Sequence, residues 1–349
     1  MNTKVIRMDV KKIDQDAMKE AGEILMAGGL VAFPTETVYG LGGNALDEKA
    51  AEKIYAAKGR PSDNPLIIHI AEISALDRIV KEVPAKAKKL AEKFWPGPLT
   101  MIFSKSDQVP YGTTGGLDTV AVRMPAHPIA LALIRAGGGY VAAPSANLSG
   151  RPSPTESAHV EEDLAGRIEM ILDGGPVGIG LESTIVDFTE EIPVILRPGY
   201  INQEMLENVI GEVRMDRALI APDSKVRPKA PGMKYRHYAP KADLTVIEGE
   251  PEAVRKKIRE MAGEKIREGF RVGIIATDES ISAYPEGIVK SIGIRAQEET
   301  IAQRLFGLLR EFDEIGVAYI FSESFDTPRM GTAIMNRLRK AAGQQIIKV

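Results

Sequence analysis

The sequence contains no cysteine, which removes disulfides, thiolate metal sites and a cysteine nucleophile from consideration. Its four histidines, His69, His127, His159 and His237, lie far apart, and none pairs with another at helical spacing. A protein-caged zinc ion is therefore not expected. No run of about 18 apolar residues offers a membrane span, and the opening "MNTKVIRMDVKK" lacks the long apolar core of a secretory signal. A soluble, cytoplasmic protein with no membrane partner is expected. Internal repeats and low-complexity tracts are missing, and the C-terminal third holds neither a GxGxxG nor a P-loop. A strong charge of one sign is missing as well. The formal net charge of -3 carries no global nucleic-acid signature.

With 349 residues, 44% of them hydrophobic and 27% charged, the chain has the composition of a globular protein long enough for two cores. The average charge conceals an asymmetry. Eight Lys or Arg between Arg214 and Lys241 stand against Asp216 and Asp223, a local excess of +6 that leaves about -9 for the rest. This basic stretch, rich in proline and without a sustained period, reads as a linker longer than compact domains normally tolerate. Before it, residues 4–7 and 30–33 read as strands joined by a helix from Gln15 to Met26. A second helix is expected from the N-cap Asp47 to Lys58, closed by Gly59. "NPLIIHI", "LTMIFSK", "TVAVRMP", "YVAAP", "EMILDGG" and "STIVDFTEEIPVILRPG" supply further strands, giving a mixed α/β sheet over residues 1–213. After the linker, "LTVI", "RVGIIA", "GIVKSI" and "VAYIFS" alternate with helices near 252–268, 297–315 and 330–342. That alternation predicts a small parallel α/β domain over residues 242–349.

The chemistry-bearing residues are small and polar. "PTETVYGLGG", residues 34–43, leaves an apolar strand through hydroxyls and glycines, with Glu36 as its one carboxylate and no obvious nucleophile. It suits the floor of a pocket for a small polar substrate. "AAKGRPSDNPL" places Lys58 and Arg60 around a helix-ending glycine, two cations on the solvent side of a turn, with Asn64 held beside them. The macrodipole alone accounts for cations there. "AAPSANLSG" puts Ser145 and Asn147 just past a strand's carboxyl end, where ligands of open α/β sheets sit, though both are also ordinary turn formers. Ser183 and Arg197 add a hydroxyl and a cation. In "TVAVRMP" alternation sets Arg123 on the face of Ala121 and Thr119. There it either points outward or meets an anion inside, because a buried unpaired guanidinium is too costly. His69 taken alone reads as a satisfied core histidine. Together these groups suit a nucleotide triphosphate and a small polar acid.

The ordered segments "FPTETVYGLGG", "KGRPSDNPL", "WPGPLT", "VRMP", "PSANLSG", "STIVD", "LRPG" and "PGMKYRHYAP" make the chain resemble the YrdC-type threonylcarbamoyl-AMP synthases, and most closely their long form with an additional C-terminal domain. The resemblance is dense over residues 4 to about 200 and thinner beyond the linker. It implies a YrdC-like twisted mixed sheet with helices, followed by a smaller Rossmann-like parallel α/β domain. It implies a nucleotidyltransferase that converts L-threonine, bicarbonate or carbon dioxide, and ATP to threonylcarbamoyl-AMP and pyrophosphate. A downstream tRNA threonylcarbamoyl transferase complex would use the product to modify the adenosine 3′ of the anticodon, with at most a weak contact between this chain and tRNA. By the same resemblance Lys58, Arg60, Ser145 and Asn147 are catalytic. ATP is bound by these four with Asn64, Thr119, Ser153, Arg197 and Tyr235. Threonine is bound by Thr37, His69, Arg123, the Ala143 backbone and Ser183. Mg2+ arrives with ATP, without a dedicated protein cage. In this reading the glycines of "PTETVYGLGG" let backbone approach the substrate, and residues 229–240 close over the loaded pocket with Tyr235 nearest ATP.

Two other classes share these residues. An RNA-binding module would bind tRNA with a steep salt dependence in the absence of ATP. A noncatalytic sensor would bind ATP and threonine without releasing pyrophosphate.

Overall fold

A computed structural model describes residues 2–216 and 237–349. These residues fall into two compact units, one of residues 2–149, 153–178 and 182–216, the other of residues 150–152, 179–181 and 237–349. Tyr235 and most of the expected lid lie outside the described residues. Among those described, no helix is long and apolar enough to cross a membrane.

In the first unit the strands are β1 (Lys4–Arg7), β2 (Val31–Phe33), β3 (Gly40–Asn44), β4 (Ile67–His69), β5 (Leu99–Ser104), β6 (Thr119–Arg123), β7 (Val141–Ala142), β8 (Met170–Asp173), β9 (Thr184–Asp187), β10 (Val194–Arg197) and β11 (Arg214–Met215). They form one 11-stranded mixed sheet in the order β1-β8-β2-β3-β7-β4-β6-β5-β9-β10-β11. The helix starts follow from side-chain caps. The Asp14 carboxylate accepts from Asp16 N and Ala17 N ahead of Gln15–Met26, and Asp47 accepts from Lys49 N ahead of Glu48–Lys58. Gly59 closes the second helix with φ 60°, a left-handed turn that favours glycine.

The two faces of the central strands differ. Val120 and Val122 join Ile68, Met101, Phe103 and Val186 in the main core, beneath Ile54 of Glu48–Lys58, Leu90 of Ala85–Phe94, Leu164 of Ser157–Leu164 and Leu206 of Gln203–Ile210. Each of these fully buried aliphatic side chains contributes roughly 1.5–3 kcal/mol. On the opposite face Ile67, Ala121, Ile102, Ile185 and Leu196 form a separate small cluster. The alternation of "TVAVR" therefore holds, and Arg123 shares the small-cluster face with Ala121.

One element departs from the sequence reading. The glycine-rich end of "PTETVYGLGG" is itself a strand, β3, antiparallel to β2 and to β7. Its glycines are explained by core packing: a Cβ on Gly42 would lie 2.9 Å from Val141 Cγ1, and one on Gly43 would lie 3.1 Å from Ile54 Cδ1. They admit neighbouring core side chains, where backbone approach to a substrate had been expected.

The second unit holds β12 (Asp243–Glu248), β13 (Val272–Ala276), β14 (Ile288–Ser291), β15 (Tyr319–Glu323) and β16 (Ile346–Lys348). These strands are all parallel, in the order β14-β13-β15-β12-β16. Val254, Ile258 and Ala262 of helix Pro251–Arg267 pack on Ile247, Val272, Ile274 and Phe321. Phe312 of helix Glu298–Ile315 lies over the other face, where a Cβ on Gly273 would come within 2.6 Å of its ring. Helices thus cover both faces, as in doubly wound sheets, although the strand order differs from that of dinucleotide-binding folds.

Candidate active site

Register brings a row of polar side chains to one edge of the first sheet. His69 at the end of β4 pairs with Arg123 at the end of β6, and Arg123 pairs with Thr100 on β5. Thr100 Oγ1 lies 2.7 Å from Ser183 Oγ. Arg197, ending β10, donates through Nη2 to Ser183 Oγ at 3.0 Å and through Nε to Ser183 O at 2.9 Å. Five segments scattered along the chain thus each deliver one hydroxyl, imidazole or guanidinium, with the small apolar cluster beside them.

Arg123 is 4% exposed and faces inward, which resolves the choice its sequence context left open. Its Nη2 lies 2.7 Å from Glu36 Oε1, Nη1 donates to Thr37 Oγ1 at 2.9 Å, and Nε to Gly97 O at 3.3 Å. Thr35 Oγ1 is 2.9 Å from Thr37 Oγ1 and donates to Val38 O. The hydroxyls of "PTET" therefore fix their own loop and the guanidinium together. Burial, and then the positive charge of Arg123, push the His69 pKa down to about 3, so the ring is neutral. Its Nδ1 lies 3.1 Å from Ile67 O, and the Val141 backbone bonds the ring as well. Burial lowers His127 as well, with the Glu36 charge acting against it.

The second group lies toward the other end of the same strands. Thr119 opens β6 four residues before Arg123 and on the same face, a separation of about 13 Å along an extended strand. Lys58 is 2% exposed, contrary to the solvent-side placement expected for it. The left-handed Gly59 reverses the chain, and the Lys58 ammonium turns inward to donate to Ser145 O and Asn147 O. Ser145 Oγ donates to Asn147 Oδ1 at 2.5 Å, and Asn147 Nδ2 to Leu148 O at 2.7 Å. β3 anchors this loop, because Leu41 N donates to Pro144 O and Ala146 N to Tyr39 O. Ala143 N donates to Ile67 O at 2.9 Å, which places its backbone beside β4.

Arg60 remains partly exposed and donates through Nη2 to Asn64 O at 3.2 Å and Pro65 O at 3.1 Å. The turn expected to hold Asn64 beside the cations is thus held by Arg60 itself. Asn64 is 2% exposed, and its Oδ1 has no hydrogen-bond partner among the described residues. Tyr55 Oη also donates to Asn64 O, and burial raises its pKa to about 12. Ser153 Oγ donates to Glu182 Oε1 at 2.6 Å, both groups buried. Tyr235 lies outside the described residues. Two participants were missed as site residues. Thr100 follows only from the β5–β6 register, and Glu36 was visible solely as the lone carboxylate of its stretch.

A sheet edge that gathers buried cations, hydroxyls and a neutral imidazole defines an α/β protein with a site suited to anionic and polar small molecules. The comparisons narrow that class. Residues 23–199 match the Sua5/YciO/YrdC family, described as "Telomere recombination", and residues 201–343 match the "Threonylcarbamoyl-AMP synthase, C-terminal domain". The threonylcarbamoyl-AMP synthase of Bacillus subtilis is 53% identical over 330 residues, covering 94% of each chain. That of Pyrococcus abyssi is 52% identical over 339 residues, covering 97% of this chain and 98% of its own. The crystal structure of P. abyssi Sua5 complexed with L-threonine superposes with a TM-score of 0.94 at 50% identity, over 99% of this chain and 100% of that one. The chain belongs to the threonylcarbamoyl-AMP synthases of the Sua5/YciO/YrdC family.

Proposed function

We propose that the protein condenses L-threonine, bicarbonate or carbon dioxide, and ATP into threonylcarbamoyl-AMP with release of pyrophosphate, a nucleotidyl transfer. The observation that carries this reading is the row His69, Arg123, Thr100, Ser183 and Arg197 on one sheet edge, about 13 Å along β6 from Thr119. Two ligand ends fit such a span: an amino acid at the Arg123 end and a nucleotide toward Thr119. The crystal structure of P. abyssi Sua5 complexed with L-threonine supports threonine as the amino acid.

The substrate supplies its own nucleophile. The threonine amine attacks the carbon of carbon dioxide and loses its proton, giving a carbamate. A carbamate oxygen then attacks the α-phosphorus of ATP, and the bond from that phosphorus to the bridging oxygen breaks to release pyrophosphate. Protein groups position the reactants and stabilise charge. Arg123, held by Glu36, Thr37 and Gly97, takes the threonine carboxylate with a planar fork. Thr37, the Ala143 backbone and Ser183 accompany it, and His69 stays neutral. Lys58, Arg60 and Arg197 face phosphate oxygens, with Ser145, Asn147, Asn64, Thr119 and Ser153 around the nucleotide. Tyr235 is assigned to the nucleotide by the family pattern alone. Mg2+ enters on the ATP phosphates, an ion that needs few protein ligands. A tRNA threonylcarbamoyl transferase complex consumes the product, and cytoplasmic location follows from that role. Mass spectrometry tests the reading: carbon-13 bicarbonate should place one labelled carbon in a threonylcarbamoyl-AMP product. A labelled carbon that never joins the nucleotide would overturn it.

A further inference from the structure

The second unit contains a cavity of ≈ 270 Å³ whose lining includes Arg255, Thr277, Glu279, Ser280, Arg295 and Glu323. Its position follows from topology. β13 and β15 are neighbours, yet the chain leaves β13 for β14 on one side and leaves β15 for β16 on the other. The connections diverge and open a crevice at the carboxyl ends of the two strands. In open parallel α/β sheets that switch point is where ligands bind. The cavity walls are the residues that follow β12, β13 and β15, so the crevice and the cavity coincide.

The lining is built and of both signs. Glu323, 4% exposed at the end of β15, accepts from Tyr284 Oη at 2.7 Å, and its other oxygen meets Arg295 Nη2 at 2.7 Å. Arg295 also donates through Nη1 to Ser324 O at 3.0 Å, and its backbone N to Glu279 Oε1 at 2.9 Å. Ser280 Oγ accepts from Thr277 N at 3.1 Å. Each carboxylate oxygen accepts more than one bond and each guanidinium carries five N–H groups, so the set is preorganised without being saturated. A wall of Pro251 and Val254 adds an apolar surface.

We propose that this crevice binds a nucleoside monophosphate. Vicinal ribose hydroxyls donate to Glu323 and Glu279, the role that a carboxylate at a strand end plays toward ribose. Arg255 and Arg295 take the phosphate, and the base lies on Pro251 and Val254. The volume approaches the lower end of sites that enclose ligands of this size, about 300 Å³. None of these residues belongs to the first unit, which holds the described residues assigned to threonine and ATP.

Hydrogen exchange on the full-length protein tests this with AMP as the probe. AMP should slow exchange in peptides spanning 249–256, 277–281 and 323–325, read separately from peptides of the first unit. Arg255→Ala, at a partly exposed side chain, should weaken that protection at least tenfold in AMP concentration and leave threonine-dependent turnover unchanged. 2′-Deoxy-AMP should protect at least tenfold less well than AMP. Absence of protection in these peptides at saturating AMP, equal protection by the deoxy analogue, or protection by L-threonine in place of AMP would each overturn the proposal.

Discussion

Replacing Arg123 by lysine separates the threonine end of the groove from the nucleotide end. The native guanidinium is held by three contacts, to Glu36 Oε1 at 2.7 Å, Thr37 Oγ1 at 2.9 Å and Gly97 O at 3.3 Å. Lysine keeps a positive charge opposite Glu36, which avoids the roughly 3–5 kcal/mol cost of breaking a buried pair. It loses the Nε bond to Gly97 O and the planar fork that receives a carboxylate. One charge-assisted hydrogen bond to substrate is worth about 1.5–3 kcal/mol, so the threonine KM should rise roughly 10- to 150-fold. Thr119, Asn64 and Lys58 are untouched, and the ATP KM should move less than about twofold on the same scale. Steady-state pyrophosphate release, with threonine varied at saturating ATP and then the reverse, reads both constants. Urea unfolding checks that the variant is folded. A raised ATP KM with an unchanged threonine KM would refute the assignment of Arg123 to the amino acid.

Lys58→Met should abolish turnover and also lower stability by roughly 1–3 kcal/mol, because Ser145 O and Asn147 O lose a buried donor; an unchanged urea midpoint would contradict the inward geometry. Arg60→Ala, partly exposed and bonded to Asn64 O and Pro65 O, should cut turnover with a stability change under about 1.5 kcal/mol, and full activity would return it to a helix-end role. The folded His69 pKa of about 3 lies below its unfolded value, so its contribution to stability is complete above about pH 6.5 and is lost as pH falls toward 3. The expected slope is up to about 1.4 kcal/mol per pH unit; His69→Gln should flatten a urea-midpoint profile in that window, and an unaltered slope would assign it elsewhere. Gly59→Ala should cost about 1 kcal/mol from the left-handed backbone alone, as nothing lies within 4 Å of the added methyl.

Where local signals coincide, the fold is legible in the sequence. Asp47 and Gly59 bracket a helix because one caps its free N–H groups and the other adopts a positive φ, and both facts reside in single residues. β5 and β6 announce themselves by apolar runs, and alternation alone places Arg123 with Ala121. β3 was hidden because glycines carry no strand pattern; it forms because β2 and β7 flank it and Phe33, Val141 and Ile54 need the space. Two-residue β11 is likewise too short to signal. At the candidate site, residue types are read from the sequence one by one, but their partners depend on register. Nothing local links Thr100 to Ser183, 83 residues later, or Glu36 to Arg123. Lys58 illustrates the same limit: its spacing fits a solvated helix end equally well, and only the path of residues 145–147 turns it inward.

The central claim is that the groove couples threonine to ATP cleavage, and the most direct measurement is pyrophosphate release by the full-length protein with ATP and Mg2+, with and without L-threonine and bicarbonate. The account predicts release only when both are present, with one threonylcarbamoyl-AMP formed per pyrophosphate. Binding of ATP and threonine without release, or release indifferent to threonine, would contradict it.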